Sequence, residues 1–491
     1  MAHNDFYFPD GQSNLDLGAP SIRFENNKKA IQIAKDIAVS GRAATDEELE
    51  VLSKYTGWGD SRLANKVNEL SGLLTEEELR SVRGSTLNAH YTSLGVIASM
   101  WKAVLQLGFG SRRMRILDPS AGIGHFKSMT PPEFRDVIDW TEIELDALTS
   151  QILRALHPSS TIINDGFENA NLPESFFDIA ISNVPFGDYG VSSKHVPRSL
   201  THPIHDFFFA NTWRLLKPGG VMFYITSRYT MDKESTRLRE WIAARFDLLS
   251  AVRLPETAFL ENAGTKVITD VLLLRKRETM QDPKGVLWVE AVDQRIGSYA
   301  VKVNRYYHAH PEHIIGQPSM EGRTYRSDGY TVFAQGRDIQ YEMAGVYAGL
   351  SRLEHPASED KEKSESLFSD DKVLSQDVEH PIAKALIEIH DAAKRLIRAE
   401  TRGDMAKIPS LREALNNLYD TFVAKHGTIN QKENLRHLKN GAEAPFVKAL
   451  ENPDGSKSGI FSQPTVRALA SAAQVSASDA LLVSLDRTGT V

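Results

Sequence analysis

Seven short apolar runs between residues 114 and 274 alternate with stretches of helical periodicity, and this alternation constrains the fold more than anything else in the chain. The runs are MRIL (114–117), VIDWTEI (137–143), TII (161–163), FFDIAIS (176–182), VMFYIT (221–226), LLSAVRL (248–254) and VLLL (271–274). Between them lie LTSQILRAL (148–156), HDFFFANTWRLL (205–216) and STRLREWIAARF (235–246). Strands that alternate with helices need crossover connections, so the pattern predicts an α/β fold with a mostly parallel sheet and helices on both faces. The last two runs lie close together in the chain, which suits an antiparallel edge pair. In open sheets of this kind, ligands bind beyond the carboxyl ends of the strands.

Those strand ends carry the chemistry. After the first run comes Asp118, then Gly122 and Gly124 before a helical stretch. Small residues there let a ligand approach the backbone. A dinucleotide fingerprint would place a third glycine three residues after Gly124, but Lys127 stands there, which disfavours NAD. The second run ends in EIELD (142–146), where a carboxylate would bind ribose hydroxyls. Glu144 is the candidate, although alone it would equally fit a surface charge pair. The third ends in Asn164 and Asp165, and the fourth in Asn183-Val184-Pro185-Phe186. Four consecutive strands ending in polar or acidic residues beside small or turn residues describe a nucleoside-like ligand laid across the sheet edge. In that reading Glu144 holds the ribose, Asp165 contacts a base amino group and Asn183 faces the reacting centre.

At this point the chain resembles the class I, AdoMet-dependent DNA adenine-N6 methyltransferases. The motif order is that of the gamma group: HYTS (90–93), then DPSAGIG (118–124), Glu144, Asp165 and NVPF (183–186). The likeness is closer still to the methyltransferase part of methyltransferase–helicase proteins of phages and other mobile elements. It is carried by GWGD (57–60), NVPFGD (183–188), HDFFF (205–209), LKPGGVMFYITS (216–227), LSAVRLPETAF (249–259), AGTKVITDVLLLRKR (263–277) and ALLVSLDRTG (480–489). It covers about residues 21–350 well and the tail loosely. Val184 stands where the family has Pro, and so does Ser93.

The resemblance implies a Rossmann-like AdoMet-dependent methyltransferase fold, a seven-stranded, mostly parallel sheet with helical N-terminal and C-terminal extensions. It implies S-adenosyl-L-methionine as cofactor, with no metal required. Tyr91, Thr92, Asp118, Pro119, Ala121, Gly122 and Gly124 would contact the cofactor, with Phe126, Glu144, Asp165, Gly166, Phe167 and Asn183. Asn183, Val184, Pro185 and Phe186 would carry catalysis. The adenine N6 lone pair is delocalised into the ring. Hydrogen bonds from N6 to the Asn183 side-chain oxygen and the Val184 carbonyl would favour a geometry that frees it, while Pro185 stiffens the turn and Phe186 stacks on the base. A base inside a duplex must be flipped out to reach such a pocket. Phosphate contacts are expected from Lys194, His195 and Arg198 in the segment SSKHVPRSLTHPIH (192–205), and from Arg228. Over 186–277 Lys and Arg outnumber Asp and Glu, although the whole chain carries a net charge of −7.

The alternatives are an RNA or protein-glutamine N-methyltransferase, and a non-catalytic AdoMet-fold module serving a helicase. A glutamine carboxamide poses the same delocalisation problem. The HYTS segment and the long extra segments disfavour the former. Restriction-modification, anti-restriction and mobile-element roles stay open, as does the recognition sequence.

The remaining features bound the setting. There is no cysteine among the 491 residues, which excludes disulfides, thiolate nucleophiles and Cys-ligated zinc. His125, His195, His202 and His205 are irregularly spaced, so no metal is expected there. No signal peptide or membrane-span pattern is present, so a cytoplasmic protein with no membrane partner is expected. No Gly-x-x-x-x-Gly-Lys-Ser/Thr loop occurs, so no helicase motor is expected in the chain.

The domain reading is an N-terminal helical region at 1–84, with residues 1–20 loosely ordered, and a methyltransferase domain at 85–279. A small subdomain for target recognition follows at 280–350, then a charged, Ser-rich linker at 351–381 and a helical C-terminal region at 382–491. The last would dock a helicase or another subunit. Thr45 with Glu48 and Thr75 with Glu78 fit capping boxes. GWGD reads as a loop with one anchoring Trp.

Overall fold

The computed structural model describes residues 5–64, 66–85, 91–110, 113–259, 266–322, 329–353, 380–402, 407–438, 444–452 and 454–463. His90, most of the linker and the ALLVSLDRTG stretch lie outside the described residues. Contacts divide the chain into two units, residues 1–355 and 356–491.

In the first unit the seven apolar runs become β1 (Met114–Asp118), β2 (Ile138–Ile143), β3 (Thr161–Ile163), β4 (Phe177–Asn183), β5 (Leu216–Ser227), β6 (Phe246–Arg253) and β7 (Thr269–Lys276). They form one sheet in the order β3-β2-β1-β4-β5-β7-β6. The five strands β3, β2, β1, β4 and β5 are parallel. β7 runs antiparallel to both β5 and β6. The antiparallel pair expected from the sequence therefore forms, with β7 inserted beside β5 and β6 at the edge. This is the Rossmann-like fold of AdoMet-dependent methyltransferases.

Side chains alternate across the strands, as a two-residue repeat requires. Leu117, Ala180, Met222 and Leu272 go to one core with the helix Ile204–Leu215. Ile116, Ile179, Val221 and Leu273 go to the other, with the helix Leu94–Gln106. Both faces are covered, which is why these strands read as continuous apolar runs rather than alternating ones.

The described residues of 280–350 form no separate core. They carry two small antiparallel pairs, β8 (Ala291–Ile296) with β9 (Tyr299–Asn304), and β10 (Gln317–Ser319) with β11 (Thr331–Phe333). Their buried Trp288, Val303, Tyr306 and Tyr330 join the first core, while Ile315, Met343 and Tyr347 join the second.

The N-terminal region comprises α1 (Pro20–Ser40), α2 (Asp46–Leu52) and α3 (Glu76–Ser85), with shorter turns between. Both capping boxes form. Thr45 Oγ1 accepts from Glu48 N at 3.3 Å while Thr45 N donates to Glu48 Oε2 at 2.9 Å. Thr75 and Glu78 make the same pair of bonds at 3.2 and 2.8 Å. Trp58 of GWGD is the expected anchor: it is buried and its Nε1 donates to Tyr55 Oη at 3.1 Å. Phe24, Ile31, Leu52 and Trp58 share a core with Ile123 of the loop after β1 and with Leu148 and Ile152 of the helix after β2. The N-terminal helices are thus packed against the loop after β1 and the helix after β2.

One expectation is corrected. Residues 5–19 are laid along the domain rather than loose: Phe8, Leu15 and Leu17 are buried, Phe6 N donates to Leu156 O, and Phe8 N donates to Ser128 O. Three apolar side chains in a polar stretch are enough to hold it down.

The second unit pairs the helices Pro381–Arg402 and Ile408–His426. Leu386, Ile389, Ala393 and Leu396 pack with Leu415 and Phe422, and with Phe446, Leu450 and Phe461 from the turns that follow. Self-packing therefore accounts for the apolar spacing seen in the sequence. Among the described residues no helix is long and apolar enough to cross a membrane.

Candidate functional site

A cavity of about 460 Å³ opens at the carboxyl ends of β1 to β4. That volume lies in the range of small-molecule sites. The way the strand ends fold explains its walls.

Asp118 ends β1 and is fully buried. Its Oδ1 accepts from Ser182 Oγ at 2.6 Å and from Ser120 N at 3.2 Å, tying β1 to β4 and starting the loop. Burial pushes its carboxyl up to about 8. Gly122 and Gly124 have φ of 58° and 82°, the left-handed region. At Gly124 an added Cβ would lie 2.5 Å from the His157 ring and 2.7 Å from Leu153. This glycine shapes the loop from behind, against the helix Ala147–Leu156. Gly124→Ala is therefore expected to lower stability, on the order of 1–3 kcal/mol, from strain and overpacking together. Denaturant unfolding of the variant checks this. A loss under a few tenths of a kcal/mol would mean the loop yields without cost.

Gly122 faces the cavity, and its N–H donates to Glu144 Oε2 at 2.9 Å. The other oxygen of Glu144 accepts from Asp146 N at 2.8 Å. Two backbone donors thus fix the carboxylate just past β2, at the cavity wall. Burial, then the neighbouring Asp146 and Asp118 charges, push it up to about 8, against those two hydrogen bonds. Asp146 also caps the following helix by accepting from Thr149 N at 2.8 Å. Past β3, Asp165 Oδ1 accepts from Gly166 N at 2.6 Å and Asn169 Nδ2 at 2.9 Å.

Asn183 is the last residue of β4. Its Nδ2 donates to Thr92 Oγ1 at 3.2 Å, which joins the HYTS segment to the NVPF motif. Val184 is buried in the core and its N–H donates to Ile225 O at 3.1 Å, so only its carbonyl could serve a ligand. Pro185 lines the cavity, and Phe186 beside it is half-buried.

The sequence-derived set is brought together to a large extent. Tyr91, Thr92, Pro119, Ala121, Gly122 and Phe126 line this one cavity. So do Glu144, Asp165, Gly166, Phe167, Asn183 and Pro185. Asp118 and Gly124 do not line it; they stand behind the wall and hold its shape. Lys194, His195 and Arg198 are exposed on the segment after the NVPF motif.

Arg228 is a correction. Its side chain is buried: Nη1 pairs with Asp232 Oδ2 at 3.2 Å, Nη2 donates to Tyr229 Oη, and the guanidinium lies over the Tyr229 and Tyr330 rings. A buried, paired guanidinium is not a phosphate contact. Among the four histidines considered for metal, His125 and His205 are buried and desolvation holds both well below the usual range, His125 at about 4 and His205 at about 3. His125 Nε2 lies 3.1 Å from Ser53 O.

Sequence reasoning missed Tyr55, Gly57 and Ser81, which reach the cavity from the N-terminal helices. Ser81 Oγ donates to Asp146 Oδ1 at 2.6 Å across the site. No spacing marks Ser81. Tyr55 and Gly57 belong to the YTGWGD stretch, and Asp146 ends EIELD (142–146), in which Glu144 is the ribose candidate. Tyr189, Ile204 and Phe208, beyond the NVPF motif, add an apolar wall.

The chain is similar to several solved structures at low identity. One, described as a class I S-adenosylmethionine-dependent methyltransferase from Listeria monocytogenes, is 16% identical over 53% of this chain and 91% of its own, with a TM-score of 0.35. A protein described as a modification subunit of a type I restriction enzyme from Vibrio vulnificus YJ016 is 19% identical over 49% of this chain and 51% of its own, at 0.34. The methyltransferase subunit of a type I restriction-modification system from Streptococcus thermophilus is 13% identical over 62% and 74%, at 0.34. No family model matches the sequence, and no curated protein matches it. Strand order and direction within the chain itself establish the AdoMet-dependent methyltransferase fold, with a cavity at the strand ends where such a fold binds its ligand.

Proposed function

We propose that the chain is an AdoMet-dependent DNA methyltransferase acting on N6 of adenine. The observation that carries this reading is that Asn183 and Pro185 line the same cavity as Gly122 and Glu144. A carboxamide suited to hold an exocyclic amine and a carboxylate suited to hold a ribose thus face one space.

The residues present fit AdoMet. Glu144 offers its carboxylate to the ribose hydroxyls, Gly122 leaves the backbone bare for close approach, and Asp165 stands beyond the next strand as acceptor for the adenine amino group. Tyr91, Phe126 and Phe167 supply apolar walls. When bound, AdoMet supplies an electrophilic sulfonium methyl group. The chain's own part is orientation. The Asn183 side-chain oxygen and the Val184 carbonyl accept the two N6 hydrogens, which sets the direction of the nitrogen lone pair. They also match the positive charge that develops on N6, in a site already fixed by the Thr92 bond and the Pro185 turn. Phe186 offers a flat face to the base. Reaching this cavity requires a base displaced from its stack.

The test is methyl transfer by the purified chain to DNA, RNA and protein side by side, followed by digestion to nucleosides and mass spectrometry. N6-methyladenine formed in DNA alone is expected. Methylation confined to RNA or to glutamine, or AdoMet binding without any transfer, would overturn the reading.

The phosphate contacts follow from exposure. Lys194→Ala with Arg198→Ala is expected to weaken DNA binding and to reduce the slope of log affinity against log salt by about 2. Arg228→Ala should leave that slope unchanged and lower thermal stability instead, since it strips Asp232 of a buried partner. Fluorescence anisotropy over a salt series separates the two; a slope changed by Arg228→Ala would contradict its placement among buried ion pairs.

A further inference from the structure

We propose that His310, Glu312 and His313 form a binding site for a divalent transition-metal ion of the zinc class, apart from the cavity described above.

The three residues belong to the stretch HAHPEH (308–313). A short helix, Arg305–Ala309, ends at His310, and Pro311 starts a single tight turn, Pro311–His313. His310 N donates back to Tyr306 O and His313 N to His310 O, so the backbone folds the three side chains toward one point. His310 Nδ1 lies 3.4 Å from Glu312 Oε1, and His313 Nε2 lies 3.6 Å from the same oxygen. All three candidate ligand atoms lie within 4.8 Å of one another.

These separations are long for N–H···O bonds, whose usual range ends near about 3.2 Å. Both are near the separation of ligand atoms around a metal. With metal–nitrogen and metal–oxygen distances of about 2.0–2.2 Å, a tetrahedral centre sets its ligand atoms roughly 3.3–3.5 Å apart.

The hydrogen bonding behind His313 points the same way. Its Nδ1 lies 3.1 Å from the carbonyl oxygen of Ala251 in β6. A carbonyl only accepts, so Nδ1 is the donor in this contact, and in the neutral ring Nε2 then presents a lone pair toward Glu312. A lone pair facing a carboxylate oxygen is repulsive, and a cation between them removes the repulsion. An imidazole whose far N–H is given to a backbone carbonyl is the arrangement that fixes tautomer and direction in metal-ligating histidines. Tyr306 strengthens the frame: its hydroxyl accepts from Ala251 N at 3.1 Å and lies 2.9 Å from His313 Nδ1. The Tyr306 and His310 rings pack at 4.7 Å.

The donor set selects the ion. Two imidazole nitrogens and one carboxylate suit zinc, cobalt or nickel, whereas magnesium and calcium want oxygen throughout. The side chains of Glu312 and His310 are 62% and 44% exposed, so an ion can enter from solvent and water can complete its shell. Because His313 is tied to Ala251, a bound ion would fasten the turn at 310–313 to the edge strand β6.

The experiment uses the full, tag-free chain stripped with a chelator and then titrated with ZnCl2 by calorimetry, and in parallel with CoCl2 while the visible spectrum is recorded. One equivalent is expected to bind, with a cobalt spectrum of nitrogen–oxygen coordination. His310→Ala and Glu312→Gln should each weaken binding by about 10-fold or more. His308→Ala, an exposed histidine outside the cluster, should leave metal binding unchanged. Both His310 and Glu312 are exposed enough that their variants should unfold at the temperature of the stripped wild type, which separates lost ligation from lost folding. No binding by the wild type, or binding undiminished in the His310→Ala, Glu312→Gln double variant, would overturn the site and leave the cluster as an imidazolium–carboxylate contact.

Discussion

Asn183→Ala is expected to lower methyl transfer to DNA by about 10²- to 10³-fold or more, the usual loss when one preorganised polar group at a reacting centre is removed. The change deletes the carboxamide while leaving the wall of the cavity in place. The side-chain bond from its Nδ2 to Thr92 Oγ1, at 3.2 Å, has a net worth of roughly 1 kcal/mol, so the variant should fold. AdoMet affinity should change less than tenfold, because Glu144, Gly122 and Asp165 remain. Asn183→Asp keeps an acceptor oxygen and should retain part of the activity. Single-turnover kinetics with AdoMet binding measured alongside check this. Transfer within a few-fold of wild type would remove Asn183 from the chemistry and with it the adenine reading. Equal loss of transfer and of AdoMet binding would make it a cofactor residue alone.

The second large effect concerns Glu144 and pH. Desolvation, with Asp146 and Asp118 nearby, lifts its carboxyl to about 8, so near neutrality much of it is protonated. In the function proposed above, the ionised form is the one that would accept from both ribose hydroxyls. Binding of AdoMet should therefore strengthen as pH rises through about 8, by up to about tenfold per pH unit below that value, and level off above it. Proton release on binding is the same statement in linkage form. Glu144→Gln should weaken binding on the order of 10- to 10²-fold at pH 9, the loss of hydrogen bonds to a charged group, and flatten the pH profile. Calorimetry in two buffers of different ionisation enthalpy measures both. A wild-type affinity that is flat from pH 6 to 9 would mean that water entering the cavity keeps Glu144 ionised throughout.

How much of this was legible beforehand depends on the range of the forces involved. The capping boxes at Thr45 and Thr75 were readable because each is closed by two hydrogen bonds across three residues. The strands were readable because both faces of the sheet are covered, so each shows as an apolar run. The loop after β1 was readable because Gly122 and Gly124 mark left-handed backbone in place.

Other features depended on partners far away in sequence. Whether Arg228 meets solvent or Asp232 follows from how the segments carrying Tyr229 and Tyr330 pack around it. Ser81 is held at the site by its bond to Asp146, 65 residues on. The described residues of 280–350 form no core of their own because their aromatic side chains pack into the two cores of the sheet. The His310–Glu312–His313 cluster is compact in sequence, but His313 is aimed by Ala251, 62 residues earlier.

By itself, then, the sequence determined the α/β class, the order of elements, the local caps and turns, and the residues that gather at the strand ends. Tertiary structure alone decided the insertion of β7, the N-terminal roof over the cavity, the burial of Arg228 and the aim of each imidazole. The reason is physical: local signals rest on bonds that close within a few residues, whereas these placements rest on the summed burial of many weak contacts between distant segments.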